Sequence, residues 1–209
     1  MLHCARNDKQ WAMNREEQFK TYAELIKKWN KKINITAIDG DEGIQTHHFD
    51  DSLAAKDFVG SAKTLIDLGT GAGLPGIPLK IELPDLKVIL VDAKRKKIAF
   101  CQEVIRALNL KNIRAIDGRA EDPYIYRTLG AFDVVISRAT WSLDVFSAIA
   151  APYMNGNSKC IAMRGANWQN DLNEAGKEIE RYSLHLEKTH EYTVGEGDKR
   201  CLLIFSKRS

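Results

Sequence analysis

The segment from Leu65 to Gly76, LIDLGTGAGLPG, constrains the fold of this chain more than any other feature of the sequence. Its first residues are apolar and predict a short buried strand. The loop that follows is rich in glycine, which lets a backbone turn tightly and approach a ligand closely. Pro75 suits the first turn of a helix after the loop. The segment therefore predicts the strand, loop and helix that form a ligand site in an open α/β sheet.

The chain after Gly60 alternates short apolar runs with helical segments. Five strands are predicted, at Thr64 to Leu68, Lys87 to Val91, Ile113 to Ile116, Phe132 to Ile136 and Lys159 to Met163. Four helices are predicted between and after them, at Gly76 to Glu82, Lys94 to Leu108, Ser142 to Tyr153 and Trp168 to Glu180. Such alternation predicts a mostly parallel sheet with helices on both faces. Two last strands, His190 to Val194 and Arg200 to Ser206, are joined by GEGDK and predict an antiparallel hairpin.

The first 60 residues are predicted to form a helical extension. From Arg15 to Lys31, apolar residues recur at helical spacing, which predicts an amphipathic helix. Ile33 to Gly43 is predicted as an irregular connection, and His47 to Val59 as a second helix. We therefore expect residues 1–60 to pack on a core formed by residues 61–209, so that both parts make one structural unit.

The glycines of the loop do not by themselves identify a ligand. The fragment GAGLPG satisfies the G-x-G-x-x-G pattern of dinucleotide-binding loops. Asp67 separates the two possibilities, because a carboxylate in the strand before the loop repels a pyrophosphate but attracts the ammonium and sulfonium of S-adenosylmethionine. The spacing D-x-G-x-G-x-G is the form found in methyltransferases. The candidate cofactor residues of this segment are Asp67, Gly69, Gly71 and Gly73.

Two further acids follow the second and third predicted strands. Asp92 ends the run VILVD, roughly twenty residues after Gly73, where the ribose-binding acid is expected in both cofactor classes. Glu121 lies in GRAED, where methyltransferases often hold the adenine amino group, although an exposed carboxylate at a helix start is an equal alternative. The pattern as a whole predicts a Rossmann-like class I methyltransferase with a seven-stranded sheet and an antiparallel C-terminal hairpin.

Several motifs carry a more specific resemblance. They are KWNKKINITAI (28–38), HHFDDSL (47–53), DLGTGAGLPGIPL (67–79), VDAKRKK (91–97), GRAED (118–122) and ISRA (136–139). With them the chain resembles, from about Tyr22 to Ile204, the RsmG or glucose-inhibited division protein B family of bacterial 16S rRNA guanine-N7 methyltransferases. The WN-x-x-I-N-I-T and GLPGIPL stretches are not general to methyltransferases, which makes the resemblance specific.

The resemblance implies a cytoplasmic enzyme that transfers a methyl group from S-adenosylmethionine to N7 of one guanine in 16S rRNA, either naked or in the small ribosomal subunit. It implies cofactor contacts at Gly69, Leu74, Ala120, Glu121 and Arg138. The sequence departs from the family pattern twice, since His47 stands where Arg often precedes the His48 position and Arg164–Gly165 replaces Lys-Gly. Both changes keep a hydrogen-bond donor.

Guanine N7 carries a free lone pair, so no catalytic acid, base or metal is assigned. Alignment of N7 with the methyl group is expected to supply most of the catalysis. Arg138 closes the fourth strand and is predicted to contact the cofactor carboxylate or a substrate phosphate. Arg164 and His48 are possible substrate-side residues, although His48 can equally cap or pack the second helix.

Composition adds only broad limits. The net charge of +3 is too small to indicate a nucleic acid partner, but basic residues cluster in KRKK (94–97) and in KKWNKK (27–32). The four cysteines form no CxxC pair, which predicts reduced, buried thiols. No stretch is apolar enough to span a bilayer and no signal peptide is visible, so a cytoplasmic monomer is expected. A methyltransferase for another RNA or a small molecule, a nicotinamide-dependent oxidoreductase and a non-catalytic binding module remain the alternatives.

Overall fold

The computed structural model describes residues 13–38 and 40–207 and contains one seven-stranded sheet. The strands are β1 (Thr64–Leu68), β2 (Lys87–Asp92), β3 (Ile113–Asp117), β4 (Val134–Arg138), β5 (Lys159–Arg164), β6 (Leu184–Val194) and β7 (Asp198–Lys207). Their order is β3-β2-β1-β4-β5-β7-β6, with β1 to β5 parallel and β7 antiparallel to both of its neighbours. The predicted mostly parallel sheet with a C-terminal hairpin is confirmed.

A helix follows each of the five parallel strands. They are α5 (Gly76–Glu82), α6 (Arg95–Ala107), α7 (Pro123–Leu129), α8 (Leu143–Ala150) with a short 3₁₀ turn (Ala151–Tyr153), and α9 (Trp168–Arg181). Helix α7 was not predicted from the sequence. Its start is nevertheless encoded, because the Asp122 side chain accepts a hydrogen bond from the backbone N–H of Tyr124 and Pro123 occupies the first turn.

The C-terminal hairpin is longer than predicted. Strand β6 begins at Leu184, six residues before the expected start at His190. A register shift between Leu186 and Lys188 lets the long β6 continue its pairing with β7. Such a bulge inserts a residue and breaks the alternation on which strand prediction depends, which explains the missed segment.

The N-terminal helices are α1 (Arg15–Asn30), α2 (Asp41–Ile44), a π-helix (Gln45–Asp50), α3 (Asp51–Leu53) and α4 (Lys56–Val59). The predicted first helix is present, with a capping box in which Asn14 and Glu17 bond each other's backbone N–H groups. The predicted single helix from His47 to Val59 is wrong, because this stretch is divided into the π-helix and two short α-helices. π-Helical turns are rare and occur frequently at functional sites.

Two apolar clusters fill the two faces of the sheet. On one face, Tyr22 and Ile26 of α1 and Phe49 of the π-helix are buried together with sheet residues such as Leu65 and Leu90. Helix α1 packs there against α5 and α6. On the other face, α8, the 3₁₀ turn and α9 cover the sheet through a second cluster. The N-terminal helices therefore complete one side of the core.

Two predictions from composition can be compared with this fold. Cys101, Cys160 and Cys201 are free and buried, as predicted, and burial raises the pKa of each thiol. Cys4 lies outside the described residues. In the part of the chain that the structure describes, no helix has the length and apolar character needed to cross a membrane.

Candidate active site

A cavity of about 430 Å³ lies at the carboxyl ends of the central parallel strands. Between β1 and β4 the strand order reverses, and ligands of open α/β sheets bind at such a point. The walls come from four loops and from the connection after α1: Ile35, Thr36, Gly69, Thr70, Gly71, Ala72, Leu74, Val91–Lys94, Lys97, Gly118–Glu121 and Arg138–Trp141. Hereafter this space is the first cavity.

The glycine loop after β1 has a backbone shape that only glycine adopts easily. Gly69 and Gly73 have φ angles of +67° and +83°, in the left-handed region. A Cβ atom on Gly69 would overlap the Thr140 side chain, and one on Gly73 would overlap Ile77. The loop is therefore held close both to the loop after β4 and to the first turn of α5.

Asp67 lies on the buried side of this loop. Its Oδ2 accepts hydrogen bonds from Thr70 Oγ1 at 2.6 Å and from the backbone N–H of Gly76 at 2.9 Å. Its Oδ1 is buried without a hydrogen-bond partner among the described residues. Burial raises the pKa of Asp67 to about 7, against the opposite effect of the two hydrogen bonds. In this position Asp67 shapes the loop itself, and its contact with a cofactor stays a prediction.

Asp92 stands at the end of β2 and faces the first cavity. Its Oδ2 accepts from the backbone N–H of Gly71 at 2.9 Å, and its Oδ1 accepts from that of Lys94 at 2.8 Å. These bonds tie the glycine loop to the start of α6. A carboxylate fixed in this way keeps lone pairs that can accept hydrogen bonds from the hydroxyls of a sugar.

Most of the predicted cofactor residues come together at the first cavity. The seven that line it are Gly69, Gly71, Leu74, Asp92, Ala120, Glu121 and Arg138. The other two, Asp67 and Gly73, face the buried side of the glycine loop. Ala120 is buried, whereas Glu121 is exposed and lies 3.2 Å from Arg119 in an ion pair.

Arg138 joins β4 to the N-terminal helices. Its Nη1 donates to the carbonyl of His47 at 2.8 Å and to Asp51 Oδ2 at 2.9 Å. The other carboxylate oxygen of Asp51 accepts from the hydroxyl of Tyr192 in β6 at 2.8 Å. Sequence reasoning missed Asp51 and Tyr192 as parts of the site. Asp51 lies in the HHFDDSL motif, but nothing in the sequence pairs it with a tyrosine 141 residues further along the chain.

A second cavity, of about 300 Å³, lies beside the first and shares Arg138 and Ala139 with it. Its other lining residues are Ile38, His47, His48, Asp51, Met163, Arg164, Gly165, Tyr192 and Arg200. The three substrate-side candidates of the sequence, Arg138, Arg164 and His48, thus line one space. Arg164 donates from Nη1 to the carbonyl of Trp141 at 2.6 Å, and its buried Nε has no partner in the described part of the chain.

His48 is buried in the wall of the second cavity. Its Nε2 lies 2.8 Å from Thr36 Oγ1 and its Nδ1 lies 3.1 Å from the carbonyl of His47. Arg138 Nη2 lies 3.4 Å from the same Nδ1, so this nitrogen lies between a carbonyl that only accepts and a guanidinium that only donates. Burial and the charge of Arg138 lower the pKa of His48 to about 4, so the ring is neutral at pH 7.

The sheet order, with its antiparallel C-terminal hairpin, is that of class I methyltransferases. A solved geranyl diphosphate methyltransferase in complex with S-adenosylmethionine shares the fold, with a TM-score of 0.58 and 14% identity over 77% of this chain and 85% of that one. The family model of rRNA small subunit methyltransferase G (GidB) matches residues 15–201. The chain belongs to this family.

Two relatives show how evenly the similarity is spread. Ribosomal RNA small subunit methyltransferase G of Clostridium botulinum (strain 657 / Type Ba4) is 38% identical over all of this chain and 89% of its own length. The same-named protein of Clostridium perfringens (strain 13 / Type A) is 42% identical over 78% of this chain and 70% of its own. The similarity therefore includes both the N-terminal helices and the sheet.

Proposed function

We propose that this protein transfers the methyl group of S-adenosylmethionine to N7 of a guanine in 16S rRNA. The observation that carries the proposal is the shared wall of the two cavities at Arg138 and Ala139. A transfer enzyme needs a donor site and an acceptor site that meet at one point, and the carboxyl end of β4 supplies that point. The relatives' name, rRNA small subunit methyltransferase G, supports RNA of the small subunit as the acceptor.

In this proposal the cofactor occupies the first cavity. Its ribose hydroxyls bond Asp92, and its adenine lies beside Ala120 with the amino group directed at Glu121. The backbone at Gly69 and Leu74 contacts the remainder of the cofactor. Arg138 stands next to the methionine part, where its positive charge favours the carboxylate.

The target guanine occupies the second cavity. Guanine presents O6 and N7 as acceptors on one edge. Donors from a cationic wall that includes Arg138 and Arg164 suit O6, while the N7 lone pair stays free to attack the methyl group as the bond from sulfur to that group breaks. Methyl transfer moves positive charge from sulfur to the purine, and fixed charges in a dry site stabilise such a change strongly. Asp51 supplies a buried carboxylate there, while the neutral His48 adds no opposing positive charge.

The proposal treats the N-terminal extension (residues 1–60) and the sheet domain (61–209) as one working unit. The second cavity takes His48 and Asp51 from the extension and Arg164 from the sheet domain. The protein is proposed to act as a monomer in the cytoplasm. Because N7 is inaccessible in the deep groove of an RNA helix, the target guanine lies in a loop or a distorted region.

Methyl-labelled S-adenosylmethionine tests the proposal directly. The protein is incubated with unmodified small ribosomal subunits or with naked 16S rRNA, and the labelled nucleotide is mapped. We expect label at N7 of one guanine in at least one of the two substrates. Absence of label from guanine in both would contradict the proposal, and label on another RNA or on a small molecule would favour a different methyltransferase.

A further inference from the structure

Two buried tyrosines reach the loops of the first cavity from opposite faces of the sheet. The hydroxyl of Tyr22, in α1, donates to the carbonyl of Ala72 in the glycine loop. The hydroxyl of Tyr153, in the 3₁₀ turn after α8, donates to the carbonyl of Ala120 in the loop after β3 at 2.8 Å. Both tyrosines are fully buried, and both alanines line the cavity.

We propose that Tyr22 and Tyr153 are positioning residues that hold the two cofactor-binding loops in their binding geometry. Neither side chain lines the first cavity, so each acts through the carbonyl it bonds. The inference rests on the proposed function in one respect, namely the placement of adenine at Ala120 and Glu121. It assigns the N-terminal helix a role in cofactor affinity in addition to its role in the core.

The contacts of Tyr22 fix its hydroxyl firmly under the glycine loop. The ring lies between Phe49 and Phe100, with centroid distances of 5.1 and 6.3 Å. A Cβ atom on Gly73 would lie 2.9 Å from the Tyr22 hydroxyl oxygen, so the loop packs directly on the phenol. Burial raises the pKa of Tyr22 far above its ordinary value, and the hydroxyl remains a donor at every physiological pH.

Tyr153 has an equivalent arrangement on the other face. Its ring packs edge-on against Tyr126 at a centroid distance of 6.2 Å, and its carbonyl accepts from the backbone N–H of Phe132 at 2.9 Å. Burial, with a smaller effect from the negative charge of Glu121, raises its pKa above the ordinary tyrosine value. The residue is therefore fixed by its ring and its backbone, which leaves its hydroxyl aimed at Ala120.

Loops that already have their binding geometry raise the affinity for the cofactor, because binding then does not have to order or move them. Replacing Tyr by Phe keeps the ring packing and removes only the donor. The carbonyl of Ala72 or Ala120 is then left to shift or to find another partner, and the loop that carries it loses its position. The two loops approach different parts of the cofactor. Loss of each hydroxyl is therefore expected to weaken the binding of the whole cofactor and of a fragment of it to different extents.

The test compares Tyr22→Phe and Tyr153→Phe with Tyr182→Phe, which makes the same chemical change at the end of α9, outside both cavities. Calorimetry measures the Kd values of S-adenosylmethionine and of 5′-methylthioadenosine, which lacks the amino-acid part. For a lost hydrogen bond, we expect Tyr153→Phe to weaken both ligands by about fivefold to tenfold. Tyr22→Phe should weaken S-adenosylmethionine by a similar factor and 5′-methylthioadenosine less. Tyr182→Phe should change neither ligand.

Two further readouts separate positioning from simple stability. Thermal unfolding without ligand shows whether each variant is folded, and steady-state methylation should show a raised KM for the cofactor with kcat retained. Folded Tyr22→Phe and Tyr153→Phe variants with wild-type affinity for both ligands would overturn the inference, even if their melting temperatures fell. A wild-type protein that binds S-adenosylmethionine but does not methylate 16S rRNA would instead contradict the proposed function, and the binding comparison would still decide this one.

Discussion

The two cavities differ in which residues line them and in how far apart those residues are in the sequence. Most residues that line the first lie in loops that directly follow parallel strands, and many of them are small, such as Gly69, Gly71 and Ala120. The second is lined by charged and aromatic side chains from distant parts of the chain, such as His48, Arg164 and Tyr192. A site formed by consecutive loop residues can be recognised in the sequence as a local motif. A site formed by side chains from distant segments cannot, because those side chains meet only in the folded protein.

The largest expected effect is at Arg138, the arginine that both cavities share. Arg138→Ala leaves the buried carboxylate of Asp51 without its cation, which is expected to lower the free energy of unfolding by about 3 kcal/mol. We expect kcat/KM for RNA methylation to fall about 100-fold, as for the loss of one fixed charged donor at a reacting centre. Urea unfolding and steady-state kinetics measure the two effects.

Arg138→Lys is the matched control for this prediction. It keeps the charge, but an ammonium lacks the planar fork with which Arg138 contacts His47 and Asp51 through Nη1 and lies near His48 through Nη2, so intermediate values are expected. If Arg138→Ala leaves both the cofactor affinity and the turnover unchanged, Arg138 contributes neither to cofactor binding nor to methyl transfer, and the prediction is wrong.

Arg164 tests the second cavity alone. Arg164→Ala should lower kcat/KM for the RNA substrate by roughly tenfold or more, since a hydrogen bond from a charged group is lost. The Kd of S-adenosylmethionine should change much less than in Arg138→Ala, because Arg164 lines only the second cavity and reaches the first only through its hydrogen bond to the carbonyl of Trp141. Arg164→Lys keeps the charge and should recover part of the activity. A large loss of cofactor binding in Arg164→Ala would contradict the assignment of the cofactor to the first cavity and of the RNA to the second.

The two cavities also differ in how they respond to pH. Asp67, under the first cavity, has a pKa raised to about 7, so unfolding releases a proton between about pH 4 and 7 and stability falls as pH rises. His48, in the second, has a pKa lowered to about 4, so unfolding takes up a proton between about pH 4 and 6.5 and stability rises with pH. The two contributions oppose each other in the wild-type protein.

Single substitutions should reveal the opposing slopes. Asp67→Asn, which keeps an oxygen acceptor, should make the free energy of unfolding rise more steeply between pH 4 and 6.5, and His48→Gln should make it fall. The limit for one proton is about 1.4 kcal/mol per pH unit. Denaturant titrations at several pH values measure both slopes. Identical profiles for the two variants and the wild-type protein would contradict the assigned pKa shifts.

The smallest expected effect concerns RNA binding by the two basic clusters. Lys94 and Lys97 line the first cavity at the start of α6, whereas Lys27 is paired with Asp41 and Lys28 lies 3.4 Å from Glu103. Replacing Lys94–Lys97 by neutral residues should weaken RNA binding and flatten its salt dependence. Replacing Lys27 and Lys28 should have less effect, because acids already compensate them. If the dependence of RNA affinity on salt concentration has the same slope in both variants, the two clusters do not differ in RNA binding and the prediction is wrong.

The difference between the two cavities also explains which site residues can be predicted from the sequence. Gly69, Asp92 and Glu121 were found because each follows a strand at a fixed spacing, and parallel strands bring those positions to one edge. Their common location at the first cavity follows from sheet topology alone.

Contacts between distant segments were beyond sequence reasoning. The sequence places Asp51 in the HHFDDSL motif, but its pairing with Tyr192 depends on how the hairpin lies against the N-terminal helices. The hydroxyls of Tyr22 and Tyr153 contact carbonyls that are 50 and 33 residues away. The helical periodicity from Arg15 to Lys31 includes Tyr22 in the apolar face, and Tyr22 is buried. The periodicity does not specify which group the hydroxyl of Tyr22 bonds.

The position of β7 between β5 and β6 makes the second cavity depend on one edge of the sheet. The loops of the first cavity all precede Trp168, but Tyr192 and Arg200 of the second cavity belong to the C-terminal hairpin. The hairpin reaches the parallel strands only through the pairing of β7 with β5. Under the proposed function, a change that loosens this pairing is therefore expected to disturb the acceptor pocket and to leave the cofactor loops in place.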